Sequence, residues 1–178
     1  MSARERIIDV TSNLFHYQGY NTTGINQIID EAKVAKATFY YHFESKDDLC
    51  VEFLNNRHVF WVTELEKFIA KDQNPKDKVL NAFNFLIFMN NQENYRGCSF
   101  LNILSEISED QENIRAAIQN SKTDLRNFFK DLIEDELLAT HIYLLFESSI
   151  IESQIFKSNE LIEKSRGIVE KLIIHLND

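Results

Sequence analysis

One proline and four glycines in 178 residues leave little material for tight turns. A chain so short of turn formers folds most naturally into long helices joined by a few polar breaks. Its apolar residues agree. Ile7, Ile8, Leu14 and Phe15 recur at helical spacing, as do Ile25, Ile28, Ile29 and Ala32, and no segment alternates as a strand would. Nine helices are expected, over about 3–18, 25–32, 35–42, 45–70, 76–91, 99–108, 111–137, 139–156 and 160–176. Gly19 reads as a stop, Asn21-Thr22-Thr23 as cap choices, Ser45 as a cap before Asp47 and Asp48, and Pro75 as a first-turn residue.

The stretch "KVAKATFYYHFESKDDL" at 33–49 packs aromatic rings and a histidine into Phe39–Phe43 and surrounds them with lysines. At about 100° per residue, Lys36, Ala37, Tyr40 and Tyr41 share an arc of about 140°, with Phe39 off it and Phe43 at the helix end, where the chain turns. The phenylalanines then pack inward, while one face offers a cation, a small residue and two phenols. Hydroxyls, imidazole and ammonium groups donate to phosphate oxygens, and small residues such as Ala37 and Thr38 can approach base edges. The plainer reading is that the tyrosines merely cap a small core. Three short helices in the first 43 residues, the last two joined by a brief turn, fit a helix-turn-helix unit, which lays its last helix in the DNA major groove.

The span "GYNTTGINQIIDEAKVAKATFYYHFESKDDL", 19–49, resembles the DNA-binding signature of the TetR family of transcriptional regulators. The likeness runs through Gly19-Tyr20, Thr23, Ile25, Ile28, Ala32, Val34, Thr38-Phe39-Tyr40, His42-Phe43, Lys46 and Leu49. "RGCSFLNILSEI" at 96–107 is similar to a segment of some members. The resemblance implies an all-α protein with a helix-turn-helix domain over 1–48 and a helical effector-binding and dimerisation domain over 49–178. It implies a homodimer on a palindromic double-stranded DNA operator, acting as a repressor and released by a small-molecule effector. Thr23 and Lys46 would hold phosphates, Lys36, Ala37 and Thr38 would face bases, and Tyr40, Tyr41 and His42 would lie on the backbone. No cofactor or metal is implied.

Two positions depart from that pattern. Lys33 stands where the family usually has glycine, so either it takes a left-handed backbone or the turn differs. Ala35 stands where serine is often found, which removes a side-chain cap worth about 1 kcal/mol. Charge is unusual too: residues 1–48 carry five Lys/Arg against seven Asp/Glu, and the whole chain has a formal charge of −9. That balance excludes a general polyanion binder and puts the weight on Lys33, Lys36 and Lys46.

In the larger region, 141–156 is apolar nearly all round its first turns, which suggests a core on one side and a partner subunit on the other. The last helix, with Leu161, Ile162, Ile168, Val169, Leu172, Ile173, Ile174 and Leu176, is as rich. Ile151, Ile155, Val169 and Ile173 are the candidate dimer contacts. Trp61, Phe88, Cys98, Asn102, Phe128, Tyr143 and Glu147 are the candidate effector pocket, the rings being readable first as core and Glu147 as a solvent-exposed side chain. Glu147, set among apolar neighbours, needs a partner if buried: Tyr143, a lysine or a cationic ligand. Cys98 is a candidate sensor thiol, with Arg96 and a helix start nearby, or a small core residue.

A helical enzyme is the rival class. The five histidines (His16, His42, His58, His141 and His175) form no H-E-x-x-H or Glu-x-x-His pattern, and there is neither a CxxC nor a phosphate-binding glycine loop. A DNA-binding protein without an effector is the other alternative. No apolar run reaches about 18 residues, and "MSARERIIDV" lacks a signal-peptide core, so a cytoplasmic protein away from membranes is expected. Two cysteines fit a reducing compartment.

Overall fold

The structure is a computed structural model and describes residues 1–174; Leu176 and His175 lie outside the described residues. Among those residues it is all-helical: α1 (Ala3–Asn13), α2 (Ile25–Ala32), α3 (Lys36–His42), α4 (Lys46–Ile69), α5 (Pro75–Glu93), α6 (Ser99–Leu104), α7 (Glu112–Leu132), α8 (Glu136–Phe156) and α9 (Glu160–Ile174). None of the described helices is long and apolar enough to cross a membrane.

The helices begin where side chains supply the first-turn acceptors. Ser2 and Glu5 form a reciprocal capping box on α1. Ser45 accepts from the Asp48 amide at 3.0 Å, and Asn74 accepts from the Asp77 amide at 2.8 Å with Pro75 in the first turn. Among the boundaries that differ from those expected, two have a clear side-chain cause. The seventh helix stops at Leu132 and not 137, because the Asp135 carboxylate caps a new helix by accepting from the Leu138 amide at 2.9 Å. The sixth ends at Leu104 and not 108, where the Ser105 hydroxyl turns back to the Asn102 carbonyl at 2.7 Å.

Packing divides the chain into two units. The first comprises residues 1–60 together with 99–120, so the boundary expected after residue 48 falls inside it. Here α1 packs on α2 and α3 around Ile7, Phe15, Ile28, Phe39 and Phe43, joined by Leu49, Phe53 and Leu54 of α4. The second comprises 61–98 and the described residues from 121 onward. In it α5, α8 and α9 pack on one another around a ring cluster in which Phe146 meets Phe83 at 5.3 Å and Phe129 at 5.2 Å. Edge-to-face rings at such spacings add about 0.5–1.5 kcal/mol per pair beyond the area they bury.

Candidate functional site

Chain geometry sorts the 33–49 aromatics into two sets. Phe39 is fully buried and Phe43 nearly so, whereas Lys36, Ala37, Tyr40 and Tyr41 are exposed on one face of α3. Tyr41 is 84% exposed, far more than a ring capping a core would be. Thr38 and His42 are half-buried at the edges of that face. The tight α2–α3 turn rests on Lys33, whose φ of 53° and ψ of 51° are left-handed, and Ala35 caps α3 with no side-chain hydrogen bond.

Two of the proposed phosphate contacts are placed otherwise. Thr23 is fully buried, and its hydroxyl donates to the Gly19 carbonyl at 2.7 Å, so its side chain faces inward. Gly19 makes this possible: its φ is +112°, and a Cβ there would stand 3.0 Å from a Glu106 carboxylate oxygen. Lys46 is half-buried, with Nζ 4.1 Å from the centre of the Tyr20 ring, and burial pushes its pKa below the ordinary lysine value. A cation held on a ring is poorly placed to meet a phosphate. Lys46→Met is therefore expected to leave the slope of log K against log salt for DNA unchanged; a slope shallower by one contact per subunit would return Lys46 to the interface.

A polar latch holds this module to the segment before α7, and sequence spacing contained no sign of it. The Tyr20 hydroxyl donates to Asp47, and Gln111 Nε2 donates to both Tyr20 at 2.8 Å and Asp47 at 2.9 Å. Burial first, then the hydrogen bond and charge of Asp47, push the Tyr20 pKa far up, so the phenol stays a donor. Asn21 donates to Glu106 through its amide N–H and its side chain, each at 2.6 Å. Buried His16, in a widened turn that closes with Gly19 N–H on the Leu14 carbonyl, meets Ser99 at 2.7 Å.

Residues 7–53 match the family model described as bacterial regulatory proteins, tetR family. That stretch is the N-terminal module of the TetR family. An uncharacterised HTH-type transcriptional regulator from the lacX 3′ region of Lactococcus lactis subsp. lactis is 25% identical over 180 residues, covering 95% of this chain and 92% of that protein. The biofilm operon icaADBC negative transcriptional regulator IcaR of Staphylococcus aureus is 35% identical over 60 residues, 30% of this chain and 32% of IcaR. In fold, a TetR-family transcriptional regulator from Streptomyces coelicolor superposes with a TM-score of 0.82 at 20% identity, over 99% of this chain and 96% of that one.

In the second unit, the candidate pocket residues form two clusters. Trp61 lies edge-on to Phe85 at 5.1 Å and Phe146 at 6.2 Å, and Phe88 stacks on Phe85. Phe128 packs on Phe129 at 5.1 Å. Separately, Glu147 is paired with Lys122, Nζ reaching both carboxylate oxygens at 2.7 and 2.8 Å and Cys98 Sγ at 3.5 Å. Burial alone would lower the Lys122 pKa; the Cys98 sulfur and the Glu147 carboxylate outweigh it and hold the ammonium above the ordinary lysine range. Tyr143 is buried with the Arg126 guanidinium 5.1 Å from its ring centre. Asn102 belongs to the first unit and not to this group. Cys50 is fully buried, and burial pushes its thiol strongly up, which leaves it a core residue.

The four candidate dimer contacts split evenly. Ile151 and Ile155 are exposed, at 42% and 61%. Val169 and Ile173 belong to the core of the second unit and face inward, which corrects their assignment to an outer face. Their places on the outside of α9 are taken by Leu161, Ile168 and Leu172, and α8 adds Leu137 and Leu144. Leu137, Leu144 and Ile151 follow at heptad spacing, as do Leu161 and Ile168.

Proposed function

We propose that the protein is a homodimeric transcriptional repressor that binds a palindromic operator and is released by a small-molecule effector. The observation that carries the DNA reading is the exposed face of Lys36, Ala37, Tyr40 and Tyr41 on α3, inside the span that matches the family model. A cation, two phenol donors and a small residue suit a helix seated in the major groove. Dimerisation is supported by the exposed apolar rows on α8 and α9, whose side chains have no reason to face water. The negative sign of regulation follows IcaR, which is named a negative regulator.

For the effector, the support is a part-buried ion pair, Lys122–Glu147, in an aromatic domain: a few polar groups in an apolar surround are what ligand sites use for orientation. Trp61, the single tryptophan, is the reporter. Selection of duplexes from a random-sequence pool is expected to yield an inverted repeat with half-sites about one helical turn apart. Metabolites that change Trp61 fluorescence are then titrated with and without that duplex. A coupling of about 1–3 kcal/mol weakens each binding about 5–150-fold in the presence of the other. Equal ligand affinity in both titrations rejects the released repressor, and failure to enrich any duplex rejects DNA reading altogether.

A further inference from the structure

The first 48 residues contain five cations, and the structure engages three of them. Arg4 is paired with Glu52 at 2.9 Å. Arg6 Nε donates to the Ala32 carbonyl at 3.0 Å, and its Nη1 donates to the Met1 carbonyl at 3.3 Å. Lys46 lies on the Tyr20 ring. Lys33 and Lys36 remain, three residues apart across the α2–α3 turn, both exposed.

Lys33 is the stranger of the two. It ends α2 in the left-handed region at φ 53°, which an L-residue with a side chain enters only under strain and glycine enters freely. Its backbone N–H is satisfied by the Asp30 and Ile29 carbonyls, so the turn needs nothing from the side chain. The ammonium takes no hydrogen bond or ion pair among the described residues. The strain therefore contributes nothing to the fold. What lysine provides there, and glycine does not, is a positive charge beside α3 in a module with acidic excess.

We infer that Lys33 is a phosphate-binding residue of the DNA interface, held in a strained turn for its charge; this rests on the DNA-reading function proposed above. Its ammonium contributes affinity without base preference, one contact per subunit and two per dimer. Because the same residue strains the turn, stability and DNA affinity move in opposite directions when it becomes glycine.

The test uses the full chain as wild type, Lys33→Gly and Lys33→Arg, with a labelled duplex enriched by the wild type from a random pool and a mixed-sequence duplex. Lys33→Gly is expected to melt about 2–4 °C higher, strain relief exceeding the added freedom of the unfolded chain. It is expected to bind both duplexes about tenfold more weakly at low salt, with a log–log salt slope shallower by about 1.8 for two lost contacts. Lys33→Arg keeps the strain and the charge, so both its slope and its melting point stay at wild-type values. An unchanged slope in Lys33→Gly overturns the inference while leaving the DNA-reading function intact, as does a slope lost equally in Lys33→Arg. A melting point that fails to rise removes the strain argument. A wild type that enriches no duplex overturns both the inference and the function beneath it.

Discussion

Lys122→Met is expected to melt about 10 °C below the wild type, and the double variant Lys122→Met/Glu147→Leu to recover most of that loss. The single change leaves the Glu147 carboxylate, 13% exposed, without the ammonium that held both its oxygens. Stranding one member of a buried pair costs about 3–5 kcal/mol, and in a chain of this size each kcal/mol moves the melting point by about 2–4 °C. Replacing both members with apolar side chains of similar volume removes two desolvated charges together with their attraction, which is often neutral. Thermal melts by circular dichroism decide it. A double variant as unstable as the single would mean that the loss comes from packing around Cys98 and Tyr143, not from the stranded charge.

Ile151→Glu and Ile173→Glu are expected to fail in different ways, although both put a carboxylate on an apolar helix. Ile173 faces the interior of its own unit, so its variant loses helical signal and aggregates. Ile151 faces outward, so its variant keeps wild-type circular dichroism but sediments as a monomer. An unpaired carboxylate buried from each subunit weakens association by at least about 100-fold, the equivalent of about 3 kcal/mol. Operator binding then collapses, because two half-sites one helical turn apart need two linked recognition helices. A folded Ile151→Glu that remains a dimer would place the interface on another surface; Leu144→Glu provides an independent check on the same row.

These two residues also mark where sequence reading ran out. The starts of α4 and α5 were legible because Ser45 and Pro75 act on their own neighbours. So was the inward turn of Phe39 against the outward tyrosines, since one short helix with seven residues has one phase. On α9 the apolar residues Ile168, Val169, Leu172 and Ile173 sit in adjacent pairs, and composition cannot say which of each pair faces α5 and α8. The heptad spacing of Leu161 and Ile168, echoed by Leu137, Leu144 and Ile151, was a usable signal for the outer row. Thr23 misled because a threonine before a helix usually caps it; the backbone of Gly19 instead brought a carbonyl within reach of its hydroxyl. The pairing of Glu147 with Lys122 joins residues on two helices, and no local pattern announces it.

The latch on the DNA-reading module bears on how such proteins can be recombined. Domain grafting assumes that a reader is a contiguous bead that can be cut from one chain and spliced to another. In this chain the cut after residue 53, where the family likeness ends, would strip the Tyr20–Asp47 pair of Gln111, Asn21 of Glu106 and buried His16 of Ser99. Each lost partner leaves a polar group to be resolvated or stranded at about 1–3 kcal/mol, comparable to a sizeable share of a small module's whole stability. The transplantable cassette is discontinuous: residues 1–60 travel with 99–120, and a chimera has to accept its foreign sensor as an insert between them and a tail after them.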